Sequence, residues 1–144
     1  MMKHEFEALA GYEVSNEDYN KIIEPMYMAL PDVTKAEFVK MIDKKRFALP
    51  TEKELISKMK KIVSHLYEIW GHRCDYEDEC ELDTIAKQLA KRFYGIDWSN
   101  DSETFVYFNR EYEYAGYRGC SLPVELVIGR GSREIKRVKL IKLQ

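Results

Sequence analysis

The sequence predicts an α+β fold. A helical N-terminal region of four to five helices packs on a C-terminal three-stranded antiparallel β-meander. Three observations carry that prediction. Helix-start signals recur three times before residue 55. Apolar residues then repeat at helical spacing as far as Tyr94. Beyond Asp97 the text turns β-rich, with two turn-like breaks. The 144 residues fit a single domain, mainly helical over 1–96 and mainly β over 97–144.

The helix starts share one pattern: an apolar residue or Pro, then Ser/Thr, two spacers, an acid and a large apolar residue. The copies are Val14–Tyr19, Val33–Phe38 and Pro50–Leu55. Each hydroxyl can accept from an early, unpaired helix N–H, and the carboxylate can reach back to the cap. Val14 with Tyr19, and Val33 with Phe38, stand at the two positions of a hydrophobic staple.

A first helix over Lys3–Ala10 should end at Gly11. The second starts at Ser15 with a stripe of Tyr19, Ile22, Ile23, Met26, Tyr27 and Leu30. Pro25 inside it predicts a kink or two short helices sharing a face. The third runs from Thr34 to Arg46, with Phe38, Val39 and Ile42 inward and Met41 on a flank. The fourth, Thr51 to Trp70, turns Leu55, Met59, Ile62, Leu66 and Ile69 inward, joined by Ile56, Val63, Tyr67 and Trp70. Cys74–Asp83 reads as an acidic connector. A fifth helix then spans Leu82–Tyr94 and stops at Gly95, with Ile85, Ala86, Leu89, Ala90 and Phe93 inward.

The first strand begins at Thr104–Phe108, with Tyr112 and Tyr114 as an extension. Ser121–Ile128 and Glu134–Leu143 are the other two, joined by a hairpin turn at Gly129–Ser132. Pro123 is tolerable only at a strand start, edge or bulge. Alternation fails at Leu140-Ile141, which predicts a bulge or burial on both faces.

Composition excludes several classes. Apolar content of 45% and charged content of 33% are globular rather than disordered. The longest apolar runs are a few residues, too short to span a membrane. The N-terminus lacks the apolar segment of a secretory signal. That absence, with an odd count of three cysteines, predicts reduced thiols and a cytoplasmic protein.

The net charge of −2 is spread in blocks. Residues 1–34 carry two basic and seven acidic side chains, and 35–74 carry ten and five. Residues 75–125 carry five and twelve, and 126–144 carry six and one. Such blocks can form oppositely charged faces or simply the solvated sides of helices.

Chemistry-bearing patterns are incomplete. His65, His72, Cys74 and Cys80 offer zinc-type donors, but six residues separate the cysteines and no second ligand pair follows. Asp75, Glu77, Glu79 and Glu81 imitate the start of a calcium loop. Cys80 stands where that loop needs Gly, and Ala86 where it needs Glu. Cys120 lacks the context of a nucleophile. Gly129–Ser132 precedes a β-rich segment, whereas a phosphate loop opens a helix. No catalytic residue, metal or cofactor is therefore assigned, and the expectation is a non-enzymatic protein.

Two binding surfaces remain. The first is acidic and aromatic: Tyr76, Glu77, Asp78, Glu79, Glu81, Glu103, Glu111, Tyr112, Glu113, Tyr114 and Tyr117. Tyrosine buries much area and keeps a polar tip, and carboxylates among tyrosines can imitate a phosphate backbone. That surface predicts a basic protein partner, such as a nucleic-acid-processing host enzyme, bound stoichiometrically. The alternative is nucleic-acid binding through Lys44, Lys45, Arg46, Lys58, Lys61, Arg130, Arg133 and Arg137. A small metal- or thiol-dependent enzyme is the third reading.

The stretch from Glu13 to Tyr27, EVSNEDYNKIIEPMY, resembles the openings of small proteins from phages and mobile elements of Gram-positive bacteria. The resemblance covers some thirty residues and carries no catalytic residue. It implies an accessory role such as inhibition of host defence, for example of the anti-CRISPR type.

Overall fold

The computed structural model describes residues 1–70, 73–112 and 121–142. The chain forms two compact units, Met1–Pro50 and Thr51–Gln144. Their boundary lies at Pro50, between two helices, rather than where helix gives way to strand.

The first unit is helical. α1 spans Lys3–Ala10 and ends on Gly11 in the left-handed region. The Met2 N–H donates to the Glu5 carboxylate at 3.0 Å, the reciprocal half of a capping box. Ser15 Oγ accepts from the Asp18 N–H at 3.0 Å and opens α2, Asn16–Asp18. A π-helical stretch, Tyr19–Ile23, follows, and then α3, Glu24–Met28, with Pro25 in its first turn. The kink expected at Pro25 is thus a wide turn placed just before it. The Glu24 N–H bonds five residues back, to Tyr19. Widening the helix there relieves the clash between the proline ring and the carbonyl four residues earlier. It also shifts the phase of the stripe, and Met26, expected inward, is 41% exposed.

Thr34 Oγ1 accepts from Glu37 at 3.2 Å and starts α4, Lys35–Met41. The expected continuation to Arg46 is broken at Ile42, whose backbone is extended. The Asp43 carboxylate accepts from the Lys45 N–H at 3.0 Å and caps a new helix, α5, Lys44–Phe47. The break turns both Ile42 and Phe47 into a core with Phe6, Val14, Tyr19, Ile23 and Phe38. Both staples close there, with Val14, Tyr19 and Phe38 buried and Val33 packed against them. Phe38 meets Phe6 and Tyr27 edge-on at 6.3 and 5.1 Å. Lys35 Nζ, 2.7 Å from Glu5, ties α4 to α1.

The second unit starts with the Thr51 cap, whose Oγ1 accepts from Glu54 at 3.2 Å. α6 spans Glu52–Ile69 and buries Leu55, Met59, Val63 and Leu66. Tyr67, expected inward, is exposed. α7 spans Tyr76–Tyr94, six residues earlier than expected. The supposed acidic connector is therefore the first two turns of this helix. Asp75 accepts from the Asp78 N–H at 3.1 Å, and the acids that follow sit at the positive end of the helix dipole. Leu82, Ile85, Ala86, Leu89 and Ala90 are buried, and Gly95 ends the helix in the left-handed region. Tyr94 donates to Glu52 at 2.5 Å, linking the end of α7 to the start of α6. Burial, then that bond, pushes its phenol up to about 12.

β1 (Thr104–Tyr112), β2 (Ser121–Arg130) and β3 (Arg133–Lys139) form the expected antiparallel meander in the order β1-β2-β3. α6 lies on β2 and α7 on β1. Leu122, Leu126, Ile128, Val138 and Leu140 complete the core beneath the helices. Pro123 sits opposite Arg110, next to a break in the β1–β2 register at Asn109/Arg110, where a missing N–H is tolerated. The second register break is at Ile128/Gly129 rather than at Leu140-Ile141. β3 ends at Lys139, and Leu140 donates to Val124 O at 2.9 Å from beyond the strand. Gly129 is required by close approach: a Cβ there would meet the Phe105 ring at 2.2 Å and the Arg133 carbonyl at 2.4 Å.

Leu126→Ala should cost about 2–5 kcal/mol in urea unfolding, and Thr51→Ala about 1 kcal/mol. A Leu126→Ala cost no larger than that of a surface substitution would contradict the assigned core. The bond from Lys35, with the Met2 N–H, holds the Glu5 carboxyl at about 2 rather than 4.5. A depressed folded-state pKa contributes stability above the unfolded value and loses it as pH falls. The wild type should therefore lose stability between about pH 4.5 and 2 faster than Glu5→Gln, read by thermal melts across that window.

Candidate functional site

The second unit brings two of the anticipated acidic segments together. The link is Arg110, which the sequence alone did not single out. Its guanidinium makes a two-pronged bond to Glu79, Nη1 to Oε1 at 3.1 Å and Nη2 to Oε2 at 2.9 Å. Nη1 also donates to the carbonyl and hydroxyl oxygens of Ser121 at 3.4 and 3.3 Å. The fork clamps the first turns of α7 to the end of β1 and the start of β2. Glu79 raises the guanidinium pKa by hydrogen bonding, and the fields of Tyr112 and Asp83 add to it.

Around this clamp stand Tyr76, 81% exposed, and Tyr112, 66% exposed, with Glu77 facing solvent, while the exposed Glu111 lines a separate groove with Asn109, Glu125 and Lys139. Tyr76 hydrogen-bonds the Cys80 thiol one turn on, which raises its phenol pKa. A cleft of about 260 Å³ opens among the end of α6, the start of α7 and the start of β2. Trp70, Arg73, Asp75, Tyr76, Glu79 and Arg110 contribute to its wall.

The other acids are engaged or elsewhere. Asp78 Oδ2 lies 2.5 Å from His65 Nδ1, and Glu81 lies 3.3 Å from Lys58. Glu103 is at the opposite end of β1, about 26 Å from Glu111 at the rise of an extended strand. Its carbonyl accepts from the Gly131 N–H at 2.6 Å. Glu113, Tyr114 and Tyr117 lie outside the described residues. The surface is thus smaller than the sequence suggests, and Glu79 acts as a structural tie rather than a free charge.

No protein-family model, curated protein or solved structure matches the chain. The site rests on its own geometry.

The basic residues divide likewise. Lys44, Lys45 and Arg46 form the short α5 of the first unit. Lys44 stands 5.9 Å from the centre of the Tyr12 ring, and Arg46 lies over Phe47 at 4.8 Å. Lys58 and Lys61 are on α6 in the second unit. Arg130 pairs with Asp101 at 3.4 Å. Arg137 donates to Glu134 at 2.5 Å and also contacts Glu125, which lowers the Glu134 pKa and raises its own. Arg133 has no ion-pair partner among the described residues.

The zinc reading loses a donor, because Cys74 is disulfide-bonded and offers no thiolate. The expectation of reduced thiols is corrected at that residue. Cys80 is a free, exposed thiol on α7, while His72 and Cys120 lie outside the described residues. A different trio could hold a metal ion: His65, Asp75 and Asp78 place one donor each within 4.8 Å of one another. Those atoms already serve one another. Asp75 caps α7, and Asp78 partners His65. The Gly129–Ser132 segment is a hairpin, as the lack of a following helix implied.

Glu79→Gln should destabilise the chain by about 1–3 kcal/mol in urea unfolding, because the fork is half-buried. Glu77→Gln, two residues away and exposed, should stay within about 0.5 kcal/mol of wild type. Equal costs would deny the clamp.

Proposed function

We propose that this chain is a non-enzymatic interaction protein. It binds a basic protein partner stoichiometrically through the surface around Tyr76, Glu77 and Tyr112. One observation carries the reading. The Glu79–Arg110 fork fixes two highly exposed tyrosines, from segments more than thirty residues apart in the chain, on one rigid junction. Large aromatic side chains on a preorganised scaffold lose little entropy on binding and dominate interface energetics. The adjoining cleft offers a place for one side chain of the partner, and the exposed carboxylate of Glu77 beside it favours a basic partner surface.

The resemblance at Glu13–Tyr27 supplies a setting, that of accessory proteins from phages and mobile elements. In that setting the partner is a nucleic-acid-processing host enzyme, and the effect is inhibition of the anti-CRISPR or another anti-defence type.

The test is affinity capture of the tagged chain from nuclease-treated host lysate at low and high salt, beside a Tyr76→Ala/Glu77→Lys variant. One basic protein should be retained at low salt, weakened at high salt, and bound at least about thirtyfold less tightly by the variant, a hot-spot loss of about 2 kcal/mol or more. Equal retention by the variant, or loss of every partner after nuclease, would contradict the proposal.

A further inference from the structure

The two faces of the sheet differ. One carries Leu122, Leu126, Ile128 and Val138 into the core. Side-chain alternation and the register place Phe105, Tyr107 and Asn109 of β1, Glu125, Val127 and Gly129 of β2, and Arg137 and Lys139 of β3 on the other. On that second face Phe105 lies where a Gly129 side chain would be. Tyr107, opposite Val127, is its neighbour at 5.7 Å between ring centres with a 36° tilt. Val127 is 1% exposed beside them, while Tyr107 remains 46% exposed. The result is a partly exposed aromatic pair on this face of the sheet.

Next along the strands, Asn109 donates to Glu125 at 2.8 Å, and Arg137 joins Glu125 to Glu134. One guanidinium there serves two carboxylates, so the network keeps one net negative charge. Beyond it opens a groove of about 820 Å³, whose wall includes Asn109, Glu125, Lys60, Lys139 and Lys142. Those three lysines have no ion-pair partner among the described residues. Against them the groove presents the exposed carboxylate of Glu111. From Arg133 to Lys142 the chain carries five basic side chains and one acid.

A partly exposed aromatic pair, followed along the strands by a groove with three lysines, has the elements of single-stranded nucleic-acid binding. Rings accept any base by stacking, and ammonium groups follow the phosphates. We infer that the solvent face of this sheet, with the groove at its end beside α6, binds single-stranded nucleic acid, with a base stacked on Phe105 and Tyr107 and phosphates on Lys60, Lys139 and Lys142. Duplex is disfavoured because its bases are already stacked and offer no free ring face to the aromatic pair. The inference is independent of the acidic junction, which lies at the start of α7.

The experiment is fluorescence anisotropy of the full chain with labelled oligo-dT, oligo-U and a duplex, each about fifteen units long, between about 50 and 200 mM salt. Single strands should bind more tightly than duplex, and affinity should fall with salt. Tyr107→Ala should weaken binding about tenfold, and Tyr107→Trp should restore it. Lys139→Glu/Lys142→Glu should weaken binding and reduce the slope of log K against log salt by about 1.4. Tyr76→Ala/Glu77→Lys should bind as wild type. The relative affinities of dT and U decide whether DNA or RNA is preferred. No single-strand binding at the lowest salt would overturn the inference. So would binding that prefers duplex, or binding unchanged in both the Tyr107→Ala and the double-lysine variants, provided thermal melts show those variants folded.

Discussion

A three-stranded sheet with one apolar face is not stable in water until something covers that face. In the second unit the cover is α6 and α7, and the rest of the unit depends on this contact. Leu122, Leu126 and Ile128 of the central strand meet Leu82, Ile85 and Leu89 of α7 and Met59 and Val63 of α6 in one apolar cluster. Both helices must therefore run long and unbroken, and the sheet must keep its register. Gly129 and the break beside it allow the hairpin to turn tightly while Ile128 stays inward.

Polar groups then fasten the margins of this core. Tyr94 and Glu52 join the end of α7 to the start of α6, Glu81 and Lys58 join the helices along their exposed sides, and Glu79 and Arg110 join α7 to the sheet. An exposed ion pair contributes little, but the half-buried, two-pronged Arg110 pair fixes direction as well as distance. It makes the first turns of α7 a rigid mount for Tyr76 and Glu77. The sheet's other face is left with an aromatic pair and an Arg137 guanidinium shared by Glu125 and Glu134.

Local signals in the chain were legible. Ser15, Thr34 and Thr51 all accept the N–H bonds their spacing implies, Gly11 and Gly95 end helices in the left-handed region, and the meander has its expected order. Two local signals are masked by their neighbours. Asp75 with Asp78 is the same kind of cap, hidden in a run of acids that reads as a solvated connector. Asp43 ends one helix and starts another inside an apparently continuous stripe. The candidate site was legible only in part. Tyr76, Glu77 and Tyr112 stand out by composition, but Arg110 pairs with a residue 31 positions away, and no local pattern encodes that. The separation of Glu103 from Glu111 follows from strand length once Glu103 is placed just before β1 and Glu111 near its end. Which face Phe105 and Tyr107 occupy depends on register with β2, which alternation alone leaves open.

The central claim is that α7 begins at Tyr76 and that its acidic first turns are ordered against the sheet. Residue-resolved amide hydrogen exchange tests it most directly. The account predicts protection at Cys80 and Glu81 that approaches that of Ile85 and Leu89, with the amides of Leu126 and Ile128 among the slowest in the chain. Cys80 and Glu81 exchanging as fast as unstructured chain, with protection appearing only several residues later, would contradict it.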